Sequence, residues 1–162
     1  MKRRFVSILM ALVMALSLLP AQALAEDTNV TKLTSTSGDL GSGVYQLDDD
    51  VTITSTLNIT GDATVDLNGY VLRYDEAANP GSIFRVEAGK TLTLRDSRPE
   101  AEHEDETLPA GGLITGGRGC RHDGGSGGYH IYYYYGGGVY VEAGASFELA
   151  GGTIYALSLI HI

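Results

Sequence analysis

Two stretches of this chain repeat one short pattern. Phe84 to Leu94 reads FRVEAGKTLTL and Val139 to Leu149 reads VYVEAGASFEL. Val-Glu-Ala-Gly is common to both, and the apolar positions correspond: Phe84 with Val139, Val86 with Val141, Leu92 with Phe147, Leu94 with Leu149. Within each stretch apolar residues alternate with Arg, Tyr, Thr, Ser or Glu, the period of a strand with one buried face. Ala-Gly breaks the alternation and turns the chain. Gly111-Gly112-Leu113-Ile114 is answered in the same way by Gly151-Gly152-Thr153-Ile154. Strand, turn, strand, turn, strand leaves no room for a helix. Repetition of such a unit signals an array in which each copy buries its apolar face against its neighbours. The reading is an all-β chain coiled as a β-solenoid. In parallel coils of this kind Val86, Leu94, Val141 and Leu149 are expected to stack inside. Leu149→Asp is then expected to cost several kcal/mol and Glu148→Ala almost nothing.

The same pattern extends toward the N-terminus. From Val44 the segments VYQL, VTITSTLNIT and ATVDLNGYVL place Val51 with Ile53, Leu57 with Ile59, and Val65 with Leu67 on common faces. Thr on the opposite faces suits a pleated surface, where a β-branched side chain packs well. Asn68-Gly69 supplies a tight turn, because both residues tolerate positive φ.

Met1 to Ala25 has the layout of a secretory signal peptide. Lys2, Arg3 and Arg4 precede the apolar run Phe5 to Leu19, and Ala23-Leu24-Ala25 offers a small-x-small cleavage site before Glu26. The run is short for a membrane span, so stable membrane insertion after cleavage is not expected. Without the three signal cations, 11 − 3 = 8 Lys and Arg face 20 Asp and Glu, a net charge of −12. So acidic a chain repels nucleic acid. Cys120 stands alone, which excludes an intrachain disulfide. Residues 26–43, polar and rich in Ser, Thr and Gly, read as a flexible lead-in.

Two insertions interrupt the region 44–156, at 97–110 and 116–138. The first (SRPEAEHEDETLP) gathers Glu102, Glu104, Asp105 and Glu106 without the fixed spacing of a Ca²⁺ loop, and reads as a solvated loop. The second holds Cys120, His122 and His130, which lack the paired spacing of a zinc site. It also holds Tyr132, Tyr133, Tyr134 and Tyr135. Exposed aromatic rings stack on sugar faces, which makes these four the candidate glycan-binding residues. On a strand, however, only alternate tyrosines share a face, and local packing is the simpler account of them. No catalytic residue, metal site or cofactor is assigned. Asp48-Asp49-Asp50 and Asp66 are candidate acids for sugar chemistry, but they read as an acidic loop and part of a turn. Leu157 to Ile162 (LSLIHI) resembles the in-frame translation of a transposon mosaic-end adapter used in sequencing-library preparation. It is expected to contribute nothing to the fold.

Asp66-Leu67-Asn68-Gly69-Tyr70, Gly112-Leu113-Ile114-Thr115-Gly116-Gly117 and Gly137-Gly138-Val139-Tyr140-Val141 resemble large surface proteins of anaerobic, mostly Gram-positive gut bacteria. These carry right-handed parallel β-helix regions of the pectate-lyase-like or adhesin-like kind. The resemblance covers roughly Val44 to Tyr155. It implies an N-terminal piece of an exported stalk, secreted or associated with the cell wall, with glycans or surface polymers of host or bacteria as partners. It brings no catalytic residues. A polysaccharide lyase or hydrolase, or a glycan-binding module, on the same scaffold is the alternative.

Overall fold

The computed structural model describes residues 29–75, 77–123 and 132–155. The signal-like segment, His130 and residues 157–162 lie outside the described residues. What is described is all-β, with fourteen strands and no helix among them.

The strands are β1 (Val30–Lys32), β2 (Gly43–Gln46), β3 (Val51–Ile53), β4 (Leu57–Ile59), β5 (Ala63–Asp66), β6 (Val71–Tyr74), β7 (Phe84–Val86), β8 (Thr91–Arg95), β9 (Leu113–Thr115), β10 (Cys120–Asp123), β11 (Tyr132–Tyr135), β12 (Val139–Val141), β13 (Ser146–Leu149) and β14 (Thr153–Ile154). Three parallel sheets take twelve of them. The first sheet orders β1-β2-β5-β8-β13, the second β3-β6-β9-β14 and the third β4-β7-β12. From β2 onward the chain visits the first, second and third sheets in rotation, so each circuit lays one strand on every sheet. Only the antiparallel β10–β11 hairpin stands outside this rotation. An all-β chain of parallel sheets in this order is compatible with a β-helix.

The repeat sets the register. Val139 pairs with Phe84 and Val141 with Val86. Phe147 pairs with Leu92 and Leu149 with Leu94, while Thr153 and Ile154 pair with Leu113 and Ile114. Stacked pairs of this kind form the core: Leu57 and Phe84, Ile59 and Val86, Ala63 and Leu92, Val65 and Leu94, all buried. At about 25 cal/mol for each Å² removed from water, columns of Leu, Ile, Val and Phe supply the main stabilisation.

Two expectations are corrected. Val141 and Leu149 keep the expected register, but they are 39% and 48% exposed. Both lie on edge strands with a partner on one side only. A side chain in a stacked column is buried by the circuits on both sides of it, so Leu94 is sealed and Leu149 is not. The second correction concerns residues 26–43. Its described part is no free tether: β1 pairs in parallel with β2, Leu40 bridges to Ile59, and Leu33 and Leu40 are buried in the core. The Ser and Thr residues of this stretch are outward and turn positions. Thr34 and Ser37, for instance, hydrogen-bond each other across a tight bend.

On the outer face of the third sheet Arg85 pairs with Glu142, whose other carboxylate oxygen accepts from Ala88 N–H at 3.1 Å. The Arg85 hydrogen bond, followed by that from Ala88, holds the Glu142 carboxyl below its ordinary 4.5. A depressed folded-state value means stability that is present above the unfolded value and lost as pH falls through the folded one. Glu142→Gln is therefore expected to lower the thermal midpoint slightly at pH 7, with the difference from the parent closing as pH falls below about 4.5. Melts of both proteins across pH 3 to 7, or roughly that span, check it.

The connections between sheets are unequal. From the third sheet back to the first they are always short, at 60–62, 87–90 and 142–145. From the second to the third they lengthen with each circuit: 54–56, then 75–83, then 116–138 with its hairpin. From the first to the second they are 47–50, 67–70, 96–112 and 150–152. All the long connections therefore flank the second sheet.

Candidate functional site

The corner between the first and second sheets is organised by two carboxylates. Asp66, at the end of β5, is 1% exposed. Its Oδ1 accepts from the backbone N–H groups of Asn68 (2.9 Å) and Ser97 (3.0 Å). Its Oδ2 accepts from Arg95 Nε (3.1 Å) and Gln46 Nε2 (3.4 Å). A buried carboxylate is tolerated when its oxygens are all engaged in this way. Asp66, a candidate acid for sugar chemistry by sequence, is thus committed to joining three successive circuits.

Asp96 repeats the device one circuit on. It accepts from Gly69 N (2.7 Å), Gly112 N (2.7 Å) and Arg98 N (3.2 Å), so it holds both ends of the first insertion. Asn68 and Gly69 adopt φ of 50° and 76°, the left-handed turn that their residue types favour. The Asn68 amide donates to Leu47 O at 3.0 Å.

The insertion folds back over this corner. Ala101 O accepts from Gly111 N at 2.8 Å, and His103 Nε2 lies 2.7 Å from Gly111 O. Tyr155 Oη donates to Thr107 O at 3.4 Å. At Gly69 a Cβ would lie 2.5 Å from Ala101 Cβ, closer than such atoms approach. Gly69→Ala is therefore expected to push the insertion off while the core columns stay intact, at a cost of about 1–3 kcal/mol from strained φ and lost contacts. Faster limited proteolysis within 97–110, with the circular-dichroism strand signal retained, checks it.

Beneath the insertion lies the outward face of the second sheet. Leu72 and Ile114 point into the core, so their strand neighbours Val71, Arg73, Leu113 and Thr115 take the opposite face. Val71, Leu113 and Thr115 are nonetheless buried, and the docked insertion stands over this side of the sheet. Arg73 is left exposed. Between it and the insertion opens a cleft of about 490 Å³. Tyr70, Arg73, Asp49 and Asp50 line it from the circuits, with Arg98, Glu102, Glu104 and Asp105 from the insertion. The Arg98 guanidinium sits 5.7 Å from the Tyr70 ring centre, within cation–π reach. Asp50 Oδ1 accepts from Val71 N at 2.8 Å. Asp105 accepts from the Thr107 hydroxyl (2.6 Å) and N–H (3.0 Å), which hold its carboxyl below the ordinary range.

The residues singled out from sequence are distributed unevenly. Asp48 pairs with Lys32 at 2.6 Å, while Asp49 and Asp50 reach the cleft. Glu102, Glu104 and Asp105 line it too, and Glu106 lines a smaller hollow beside Leu108. Among the described residues no group of three or more His, Cys, Asp or Glu is placed to hold a metal ion. Tyr132 to Tyr135 form β11, paired with Cys120 to Asp123 on β10. Their side chains, with those of Cys120 and His122, lie outside the description. The stem of that insertion is tight: a Cβ on Gly117 would lie 1.8 Å from Gly137 O, where the chain leaves and rejoins the circuits.

Sequence reasoning missed Tyr70, Arg73 and Arg98. One signal was available for Arg73: it occupies the outward position that Thr52 and Thr115 hold in the strands on either side. No protein-family model, curated protein or solved structure matches this chain.

Proposed function

We propose that this chain is part of an exported, cell-surface right-handed parallel β-helix of the adhesin-like kind, acting as a structural stalk that displays loops on one side. The observation that carries the reading is the rotation of strands through three parallel sheets in the register of the sequence repeat. Core columns, engaged corner carboxylates and short third-to-first connections commit those residues to building circuits. The long connections, gathered around one sheet, are free of that duty, as loops carrying function on a rigid scaffold generally are. Export is supported by the signal-like segment and the acidic remainder.

Expression of the full chain in a bacterium, followed by N-terminal sequencing of the extracellular product, tests export. Processing before Glu26 is expected. Retention in the cytosol with Lys2 to Arg4 intact would contradict it. A glycan-binding module, or an enzyme acting on polysaccharide, is the second reading. The cleft favours it, because carboxylates, a guanidinium and an aromatic ring converge there.

A further inference from the structure

The lining of the cleft narrows what it can hold. Carboxylates from Asp49 in the circuits and from Glu102 and Glu104 in the insertion outnumber the guanidinium groups of Arg73 and Arg98. The local field is therefore negative, and an anionic polymer would be repelled. A cationic ligand fares no better at the floor, where Arg73 projects from the middle of β6. Arg73 carries donors only, and the carboxylates are acceptors only. A ligand meeting both must offer donors and acceptors close together without net charge. The Tyr70 ring, half-buried against the core with the Arg98 guanidinium 5.7 Å from its centre, adds a flat, partly apolar wall. Sugar hydroxyls donate and accept at once, and pyranose rings carry C–H faces that lie against aromatic rings. The volume, about 490 Å³, falls among pockets that take small organic ligands.

We propose that this cleft, between the outward face of the second sheet and the insertion at 97–110, binds a neutral oligosaccharide. Arg73 donates to ring or hydroxyl oxygens, Glu102, Glu104 and Asp49 accept from hydroxyls, and the Tyr70 ring with the Arg98 guanidinium over it forms the wall beside the sugar. The site is separate from the tyrosine strand β11, which leaves the circuits at a different corner. Surface display and cleft binding can fail independently, since one is read from localisation and the other from affinity.

The test is calorimetric titration of the full chain with neutral gluco-, xylo- and manno-oligosaccharides, with oligogalacturonate as the anionic comparison. Binding to at least one neutral series and none to the uronate is expected. Arg73→Ala should weaken binding about tenfold or more, as loss of a charge-assisted donor does, with an unchanged thermal midpoint because the side chain is exposed. Glu102→Gln should weaken it less, and replacing Tyr132 to Tyr135 by Ser should leave it as it is. No binding to any neutral series, preference for the uronate, or full affinity in Arg73→Ala would overturn the proposal. So would loss of affinity confined to the tyrosine variant.

Discussion

Leu94→Asp is expected to unfold the chain. Leu94 is fully buried, stacked between Val65 on one side and Leu149 on the other. Removing a buried leucine alone costs about 2–5 kcal/mol. An aspartate in its place must either ionise in an apolar column or take up a proton, and both add to that cost. The sum rivals the whole stability of a domain, commonly about 5–15 kcal/mol. Leu149→Asp, one circuit further along the same column, is the internal control. That side chain is 48% exposed, so the loss should stay near about 1 kcal/mol. Urea titrations followed by circular dichroism would show a native-like transition for Leu149→Asp and none for Leu94→Asp. Equal losses in the two variants would mean that the column is sealed at Leu149 as well.

Asp66→Ala is expected to be the most damaging change to a polar residue. Four donors, from Gln46, Asn68, Arg95 and Ser97, converge on its two oxygens. Without them, the half-buried N–H groups of Gln46 and Asn68 lose their partner at about 1–3 kcal/mol each and less than additively, while those of Arg95 and Ser97 are exposed enough to turn to water. A total near 3–4 kcal/mol is expected. Asp66→Asn keeps one acceptor oxygen and should recover part of it, whereas Asp49→Ala, at an exposed corner, should be close to neutral. Comparable melting points for Asp66→Ala and Asp49→Ala would remove the carboxylate corner from the account.

The circuits were legible because their register is written twice. Val-Glu-Ala-Gly at 86–89 and 141–144, with matching apolar neighbours, led directly to the pairings of β7 with β12 and β8 with β13. Asn68-Gly69 announced its positive φ by residue type. Other features carry no periodic signal. Leu33 and Leu40 enter the core singly, among polar residues that resemble a linker. Asp66 and Asp96 look like ordinary turn acids, and only the fold brings Gln46, Ser97, Gly69 and Gly112 to them. The exposure of Leu149 depends on what stacks beside it, which alternation along one strand cannot reveal. The cleft was the least legible, since it arises where an insertion from one circuit folds over the corners of others. Tyr70 closes the turn before β6, Arg73 lies on β6 and Glu102 in a loop, and nothing in their spacing places them together.

Disulfide trapping along the first sheet tests the central claim that successive circuits lie parallel and in register. Thr64 on β5 is the direct partner of Thr93 on β8. Adjacent strands lie about 4.8 Å apart, a separation that a disulfide spans. Thr91, two residues earlier on β8, lies about 8 Å from Thr64 on this geometry and is out of reach. In a Cys120→Ser background, oxidised Thr64→Cys with Thr93→Cys should cross-link within the chain in high yield, and Thr64→Cys with Thr91→Cys should not. Efficient trapping of the second pair, or failure of the first in a folded protein, would contradict the stacked parallel register on which the fold and its cleft depend.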